Sequence, residues 1–207
     1  MVSIYAVKGR FQDLLRPAVR GLHRRGVTAN AVTVAAAVVS LLVAAAVGYW
    51  APAAAWLYLA LPVWMLLRMA LNAVDGMLAR EFGQQSRVGA YLNELCDVLA
   101  DAALYLSLLS VPGVRPEALW LLAWTAALSE YAGVLGLMVG ASRRYDGPMG
   151  KSDRAFVMGV LGVLLALGWA GAMAVSAVAG AMALLCMVTT VNRVRHGLKE
   201  AAATPQR

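Results

Sequence analysis

Six apolar runs, at roughly 30–50, 55–76, 93–112, 117–140, 155–171 and 172–192, take up most of the chain and are separated by short polar stretches. Each approaches the roughly 20 residues that a helix needs to cross a bilayer. One soluble core of this size could not bury so much apolar surface. The composition agrees: 61% of the 207 residues are hydrophobic and 14% charged, against about 45–50% and about 25% in an ordinary globular domain. The expected fold is therefore an all-α integral membrane protein with six transmembrane helices.

The placement of charge predicts how those helices are oriented. Lys8, Arg10, Arg16, Arg20, Arg24 and Arg25 precede the first run; Arg80 and Arg87 lie between the second and third; Arg143, Arg144, Lys151 and Arg154 lie between the fourth and fifth; Arg193, Arg195, Lys199 and Arg207 follow the sixth. The other side carries only Arg115. The positive-inside rule then puts both termini in the cytoplasm. Trp50, Trp56, Trp120 and Trp169 fall at the opposite ends, as an interfacial aromatic belt requires. The net charge of +7 is thus accounted for by topology and an anionic leaflet, and nucleic acid is not an expected partner.

Residues 4–24 differ from the spans. Ile4, Val7, Phe11, Leu15, Val19 and Leu22 recur at helical spacing with basic residues on other faces, so the segment reads as an amphipathic helix lying in the headgroup plane. The alternative is a basic orientation signal without fixed structure. The first span follows a basic patterned segment and is too long for a signal-peptide core, so it is expected to be retained. This divides the chain into an interfacial helix at 1–27, a membrane domain at 28–195 and a cytoplasmic tail at 196–207. Cys96 and Cys186 sit in apolar runs without metal-ligand spacing and read as small buried hydrophobes.

Ionisable groups inside the spans are costly and mark function or mutual pairing. Arg68, Asn72, Asp75 and Ala79 share one face of the second span, and Asn93, Asp97 and Asp101 share one face of the third. Two antiparallel helices can aim these oxygen-rich faces at each other, which suits hard divalent cations. Glu94 and Glu130 are further charges in the spans. The competing reading is an ion-paired core in which Arg68 neutralises Asp75 and Glu130 finds another donor.

From Asn72 to Asp97 the chain reads N-A-V-D-G-M-L-A-R-E-F-G-Q-Q-S-R-V-G-A-Y-L-N-E-L-C-D. This resembles the signature of the CDP-alcohol phosphotransferase family, D-x2-D-G-x2-A-R-x8-G-x3-D-x3-D. Asp75, Gly76, Ala79, Arg80, Gly89 and Asp97 match; Asn72 and Asn93 stand where the family has its first and third aspartates. The T-A-N-A-V-T lead-in to the first span, with Thr28, Asn30 and Thr33, and the G-K-S-D-R loop before the fifth span extend the resemblance. Ala29 stands where the family commonly has Pro.

The resemblance implies metal-dependent transfer of a phosphatidyl group from a CDP-alcohol, usually CDP-diacylglycerol, to an alcohol acceptor, with release of CMP. It implies Mg²⁺ or Mn²⁺ on the signature carboxylates and Asp97 as the base. It also implies nucleotide or phosphate contacts from Gly76, Ala79, Arg80, Gly89 and Lys151, with Arg143 and Arg154 at the same interface. The implied location is a bacterial inner membrane with the active site on the cytoplasmic face. Replacing two carboxylates by amides keeps oxygen ligands but removes two negative charges, so a site holding one or two ions is expected, with Asp101 or Glu94 compensating. The alternative is a relative that still binds a CDP-lipid or nucleotide but has lost catalysis. Gly133, Gly136, Gly140, Gly159 and Gly162 read as packing positions that could include a homodimer face.

Overall fold

A computed structural model describes residues 4–203, with side-chain surroundings from Phe11 onward. The described chain is helical without strands: α1 (Ile4–Arg24), α2 (Ala29–Trp50), α3 (Ala60–Glu81), α4 (Arg87–Leu106), α5 (Pro116–Leu135), α6 (Lys151–Ala166) and α7 (Ala172–Ala203). Short 3-10 turns lead into α3 and extend α4 and α5. Four segments are long and apolar enough to cross a membrane: α2, α3 with its leading turn, α5 with its trailing turn, and α7.

Local chemistry sets the helix ends. Gly26, at φ 76°, follows α1 in the left-handed conformation that favours glycine. Thr28 then caps α2 by accepting from the Ala31 amide at 3.2 Å, and Ser86 caps α4 by accepting from the Gly89 amide at 2.9 Å. At the start of α6 the Asp153 carboxylate accepts from the Gly150 amide at 2.9 Å. Two boundaries differ from the sequence reading. The Ser86 cap starts α4 earlier than expected, and α7 continues as helix to Ala203 through residues expected to begin a tail.

The helices pack as a bundle. α5 lies most extensively against α7, while α2 contacts α4 and α3, and α3 contacts α6. The main core joins Val47, Leu61, Leu104, Leu119, Met158 and Met182. A second cluster places Val19 of α1, with Leu15 and Leu22 beside it, on Val74, Met77 and Leu78 of α3. The inner stripe of α1 is thus spent on protein, and Leu14 faces outward. Ile4, Val7, Lys8, Arg10 and Arg207 lie outside the residues whose side chains are described. Cys186 is fully buried and Cys96 half-buried.

The outer surface is strongly apolar: Leu66, Leu99, Trp124, Phe156 and Leu184 are all exposed. The buried set includes Arg68, Asp75, Asp101, Glu130, Arg154 and Arg193. Polar residues inside and large apolar ones outside suit a chain whose solvent is lipid. Four of the five glycines read as packing positions are occupied within the chain. A Cβ on Gly133 would meet the Arg144 carbonyl oxygen at 2.6 Å, and one on Gly136 the Ser142 carbonyl oxygen at 2.8 Å; Gly159 abuts Pro62, and Gly162 would meet the Tyr58 carbonyl oxygen at 2.9 Å. These four are therefore not free to form a dimer face. Gly140 instead takes a positive φ of 84°.

Candidate functional site

The polar side chains gather toward one end of the bundle, from the start of α2, the middle and second half of α3, the middle of α4, the second half of α5, the start of α6 and the second half of α7. Asp75 of α3 reaches α2, where the Thr33 hydroxyl lies 2.8 Å from its Oδ2. It also lies within electrostatic reach of Asp97 and Lys151.

Asp97 of α4 is the most heavily contacted of the signature residues. The Lys151 ammonium donates to its Oδ2. Arg68 donates to its Oδ1 at 3.1 Å and to its backbone carbonyl at 3.0 Å. The Asn72 amide lies 3.5 Å from the same Oδ1. Asn93 is one helical turn before Asp97 on the same face of α4. The structure thus brings Asn72, Asp75, Asp97 and Lys151 together. Asp97 and Lys151 remain partly exposed, with 18% and 31% of their side chains accessible.

Asp101 is placed differently from the expectation. Both its oxygens are taken: Arg68 donates to Oδ1, while Arg154 and the Tyr105 hydroxyl each donate to Oδ2 at 3.1 Å. It does not supply a free carboxylate to compensate for Asn72 and Asn93. Nor does Glu94, which is 2.6 Å from Arg143. Arg68 was weighed as a partner of Asp75; it pairs with Asp97 and Asp101 instead.

Arg154 also departs from its expected role. Its side chain is fully buried, bonded to Asp101, to Glu130 at 2.9 Å and to Tyr105 at 3.1 Å, so it is closed off from any phosphate. Glu130 is shared further, with Arg193 at 3.3 Å and Arg143 at 3.4 Å. Arg68, Asp101, Arg154, Glu130 and Arg193 therefore alternate in sign across α3, α4, α6, α5 and α7. Arg193 was read as a tail charge, but it is buried and donates to the Ser129 carbonyl at 2.5 Å. Thr33, Tyr105 and Arg193 carry no site role in the sequence reading. The signal for Arg193 was its position four residues before Gly197 on a continuing helix face.

Near the signature glycines the surroundings differ. Above Gly76 the nearest atoms are the Arg80 guanidinium nitrogens, 3.0 and 3.2 Å from where a Cβ would stand, so this exposed arginine lies along the glycine surface. Gly89 faces Asn30, whose Oδ1 would be 2.6 Å from a Cβ. In this structure the Gly89 surface is covered by α2. Ala79 is half-buried on the site face of α3 and packs with the cluster that receives α1.

The loop between α5 and α6 closes this end. Arg144 donates to Asp146 at 2.8 and 2.9 Å, His196 lies 3.0 Å from Asp146, and Arg193 donates to the Asp146 carbonyl at 3.2 Å. The hydrogen bonds from Arg144, with help from His196 and against partial burial, hold the Asp146 carboxyl down at about 2. Arg143 stacks its guanidinium 4.3 Å from the Tyr145 ring; its buried Nε has no partner.

The carboxylates that α3 and α4 bring to this end, Asp75 and Asp97, offer oxygens, the chemistry of a hard divalent cation, with Lys151 and Arg68 already donating to Asp97. Among the described residues, no three Asp, Glu, His or Cys side chains form a group able to hold a metal. The fit to a cation is thus partial: two carboxylates, Asp75 and Asp97, with the Asn72 amide nitrogen 3.5 Å from Asp97 Oδ1.

An all-helical membrane bundle with such a site at one end defines the class. The family model for CDP-alcohol phosphatidyltransferase matches residues 26–197, and the chain belongs to that family. It is 43% identical over 166 residues to the Escherichia coli inner membrane protein YnbA, covering 80% of this chain and 82% of that one. It is 31% identical over 144 residues to the archaetidylinositol phosphate synthase of Aeropyrum pernix, covering 68% and 72%. The crystal structure of Mycobacterium tuberculosis phosphatidylinositol phosphate synthase with CDP-DAG bound aligns at a TM-score of 0.73 and 23% identity, over 92% of this chain and 96% of that one. The same enzyme in complex with manganese and citrate aligns at 0.72 and 24%, over 92% of each chain. These structural likenesses establish a shared fold. Family membership makes the chain a phospholipid-synthesising transferase of substituted phosphate groups.

Proposed function

We propose that the chain transfers a phosphatidyl group from CDP-diacylglycerol or a related CDP-alcohol to an alcohol acceptor at the cytoplasmic face of an inner membrane, using the cluster around Asp97. The observation that carries this reading is the meeting of Lys151 and the Asn72 amide on a partly exposed Asp97. Asp97 accepts the acceptor's hydroxyl proton as the hydroxyl oxygen bonds to the phosphorus bearing the diacylglycerol. The bond from that phosphorus to the CMP oxygen breaks, and CMP leaves. Lys151 and Arg80 contact the pyrophosphate, and Gly76 lets it approach α3. Mg²⁺ or Mn²⁺, when held by Asn72, Asp75, Asn93 and Asp97, supplies charge stabilisation for the leaving phosphate. Arg68 positions Asp97. Asp101 and Arg154 act by holding Arg68 and the bundle, and Glu94, Glu130 and Arg143 brace the neighbouring loop.

Six crossings by α2 to α7 fit this reading. α4 and α6 fall short of a span by composition or length, yet both turn apolar residues outward: Leu95 and Leu99 from α4, Phe156 and Val160 from α6. α1 lies along the interface with Leu14 outward. Basic residues at the site end and exposed Trp50, Trp56, Trp120 and Trp169 at the other support cytoplasmic termini. A homodimer would use a face other than the four occupied glycines.

The test is to incubate purified protein in lipid nanodiscs with CDP-diacylglycerol, Mn²⁺ and a panel of alcohols that includes glycerol 3-phosphate and inositol phosphate, and to identify the lipid product by mass spectrometry. A new phospholipid with equimolar CMP is expected. A second reading, binding without catalysis, is favoured by Asn72, Asn93 and the occupation of Asp97 by Lys151. It predicts turnover only after Asn72→Asp and Asn93→Asp.

A further inference from the structure

The connection between α5 and α6 is seated in the bundle by glycines. Gly136, in the turn that follows α5, and the buried Gly197 of α7 leave a channel between the two helices. A Cβ on Gly136 would stand 3.3 Å from Arg144 Cγ, and one on Gly197 3.6 Å from the same atom. The stem of Arg144 lies in that channel, and its amide donates to the Gly133 carbonyl at 3.0 Å. Farther along the loop, the Met149 amide donates to the Thr189 hydroxyl of α7 at 3.0 Å.

The last turns of α7 close the channel. The Glu200 carboxylate accepts from the Ser142 amide at 3.0 Å and from the Ser142 hydroxyl at 2.9 Å, and it pairs with the Arg144 guanidinium. Arg144 in turn holds Asp146. With Arg144 in the channel, its neighbour Arg143 turns to α4 and meets Glu94 at 2.6 Å. The same loop delivers Lys151, the first residue of α6, to Asp97. Resting on the transferase reading above, we propose that Glu200 is a positioning residue: by clasping Ser142 and Arg144 it keeps the α5–α6 loop seated and Lys151 at the site. Its side chain is 37% exposed, and Arg144 keeps Asp146 as a partner without it, so its removal leaves no unpaired charge in the core. α7 itself stays anchored by the buried Met182 and Arg193. Losing Glu200 therefore shifts the loop toward an unseated state and leaves the bundle folded. Affinity for the CDP-alcohol falls with the seated fraction, while substrate bound through Lys151 restores the seated state at saturation.

The test uses the full chain in nanodiscs, with CMP release from CDP-diacylglycerol and hydrogen exchange read on the same samples. Glu200→Ala is expected to raise KM for CDP-diacylglycerol about tenfold while kcat stays within about twofold, and to speed exchange across residues 141–150. Glu200→Gln, which keeps an oxygen acceptor for Ser142, is expected to fall between Glu200→Ala and the unmodified protein. Lys199→Ala, at the exposed neighbouring position, is expected to match the unmodified protein. An unchanged KM in Glu200→Ala overturns the inference. So does a fall in kcat alone that tracks a lower melting temperature, since that is the mark of lost folded protein. If no sample releases CMP with any acceptor, the transferase reading fails by itself. Faster exchange of 141–150 in Glu200→Ala, with α2 unchanged, then still supports the clasp, and unchanged exchange overturns it.

Discussion

The side chains that match the family signature and those that hold the bundle together sit within one turn of each other yet do different work. Asp97 is partly exposed and faces the signature residues, while Asp101, one turn on, is locked between Arg68 and Arg154. Replacing one partner of a buried pair leaves an uncompensated charge, at a cost of about 3–5 kcal/mol. Asp101→Asn is therefore expected to lose about that much stability in thermal denaturation, with Asp97→Asn losing far less. Equal stability losses would mean that Asp97 is also structural. The sequence showed which positions on α3 and α4 share a face, because helical spacing alone fixes that. It did not separate Asp97 from Asp101, since the distinction depends on Arg154 arriving from α6. Arg154 and Arg193 were themselves hidden among the basic residues at span ends, where a buried arginine and an orienting one look alike.

At the scale of elements, close approach and loop anchoring govern how the site end is closed. A Cβ on Gly133 of α5 would stand 2.6 Å from a backbone carbonyl of the α5–α6 loop, whereas Gly180 of α7 has open space around it. Gly133→Ala is expected to cost about 1–3 kcal/mol by overpacking. Gly180→Ala should be neutral or stabilising by up to about 1 kcal/mol, since only helix propensity changes. Matched melting curves of the two variants check this. The loop has its own pH dependence. Asp146 ionises at about 2 in the folded protein, below its ordinary value of about 3.9. A carboxylate with a lowered folded value adds stability above the unfolded value, and that contribution is lost as pH falls from about 4 through about 2. Hydrogen exchange of residues 141–149 should accelerate across that window, and Asp146→Asn should reduce the dependence, the remainder coming from Glu200, whose carboxylate accepts from Ser142 and pairs with Arg144. Helix ends at Gly26 and Thr28 were open to a local reading, whereas the start of α4 at its Ser86 cap was missed because its first turns carry polar residues. The length of α7 was not, because its last polar turns resemble a tail until Arg193 and Gly197 are seen to face α5 and its loop.

For the whole molecule, the two ends of the bundle differ in chemistry. Most of the charged residues and the signature occupy one end, and exposed tryptophans the other, beside Arg115 and Glu117. This was the most legible property of the sequence, since apolar run length and loop charge report directly on the solvent. In a background lacking native cysteines, Pro148→Cys should react with an impermeant thiol reagent only from the cytoplasmic side, and Pro52→Cys only from the opposite side. Labelling of both from one side would overturn the proposed orientation.

The measurement that bears most directly on the whole account is the rate of CMP release from CDP-diacylglycerol by the protein with its natural asparagines, set beside Asp97→Asn at matched stability. The account predicts acceptor-dependent release by the natural sequence and a fall of about 10²-fold or more in the variant, as expected for loss of a general base. Equal rates in the two proteins, or CMP appearing only once Asn72 and Asn93 are changed to aspartate, would contradict it.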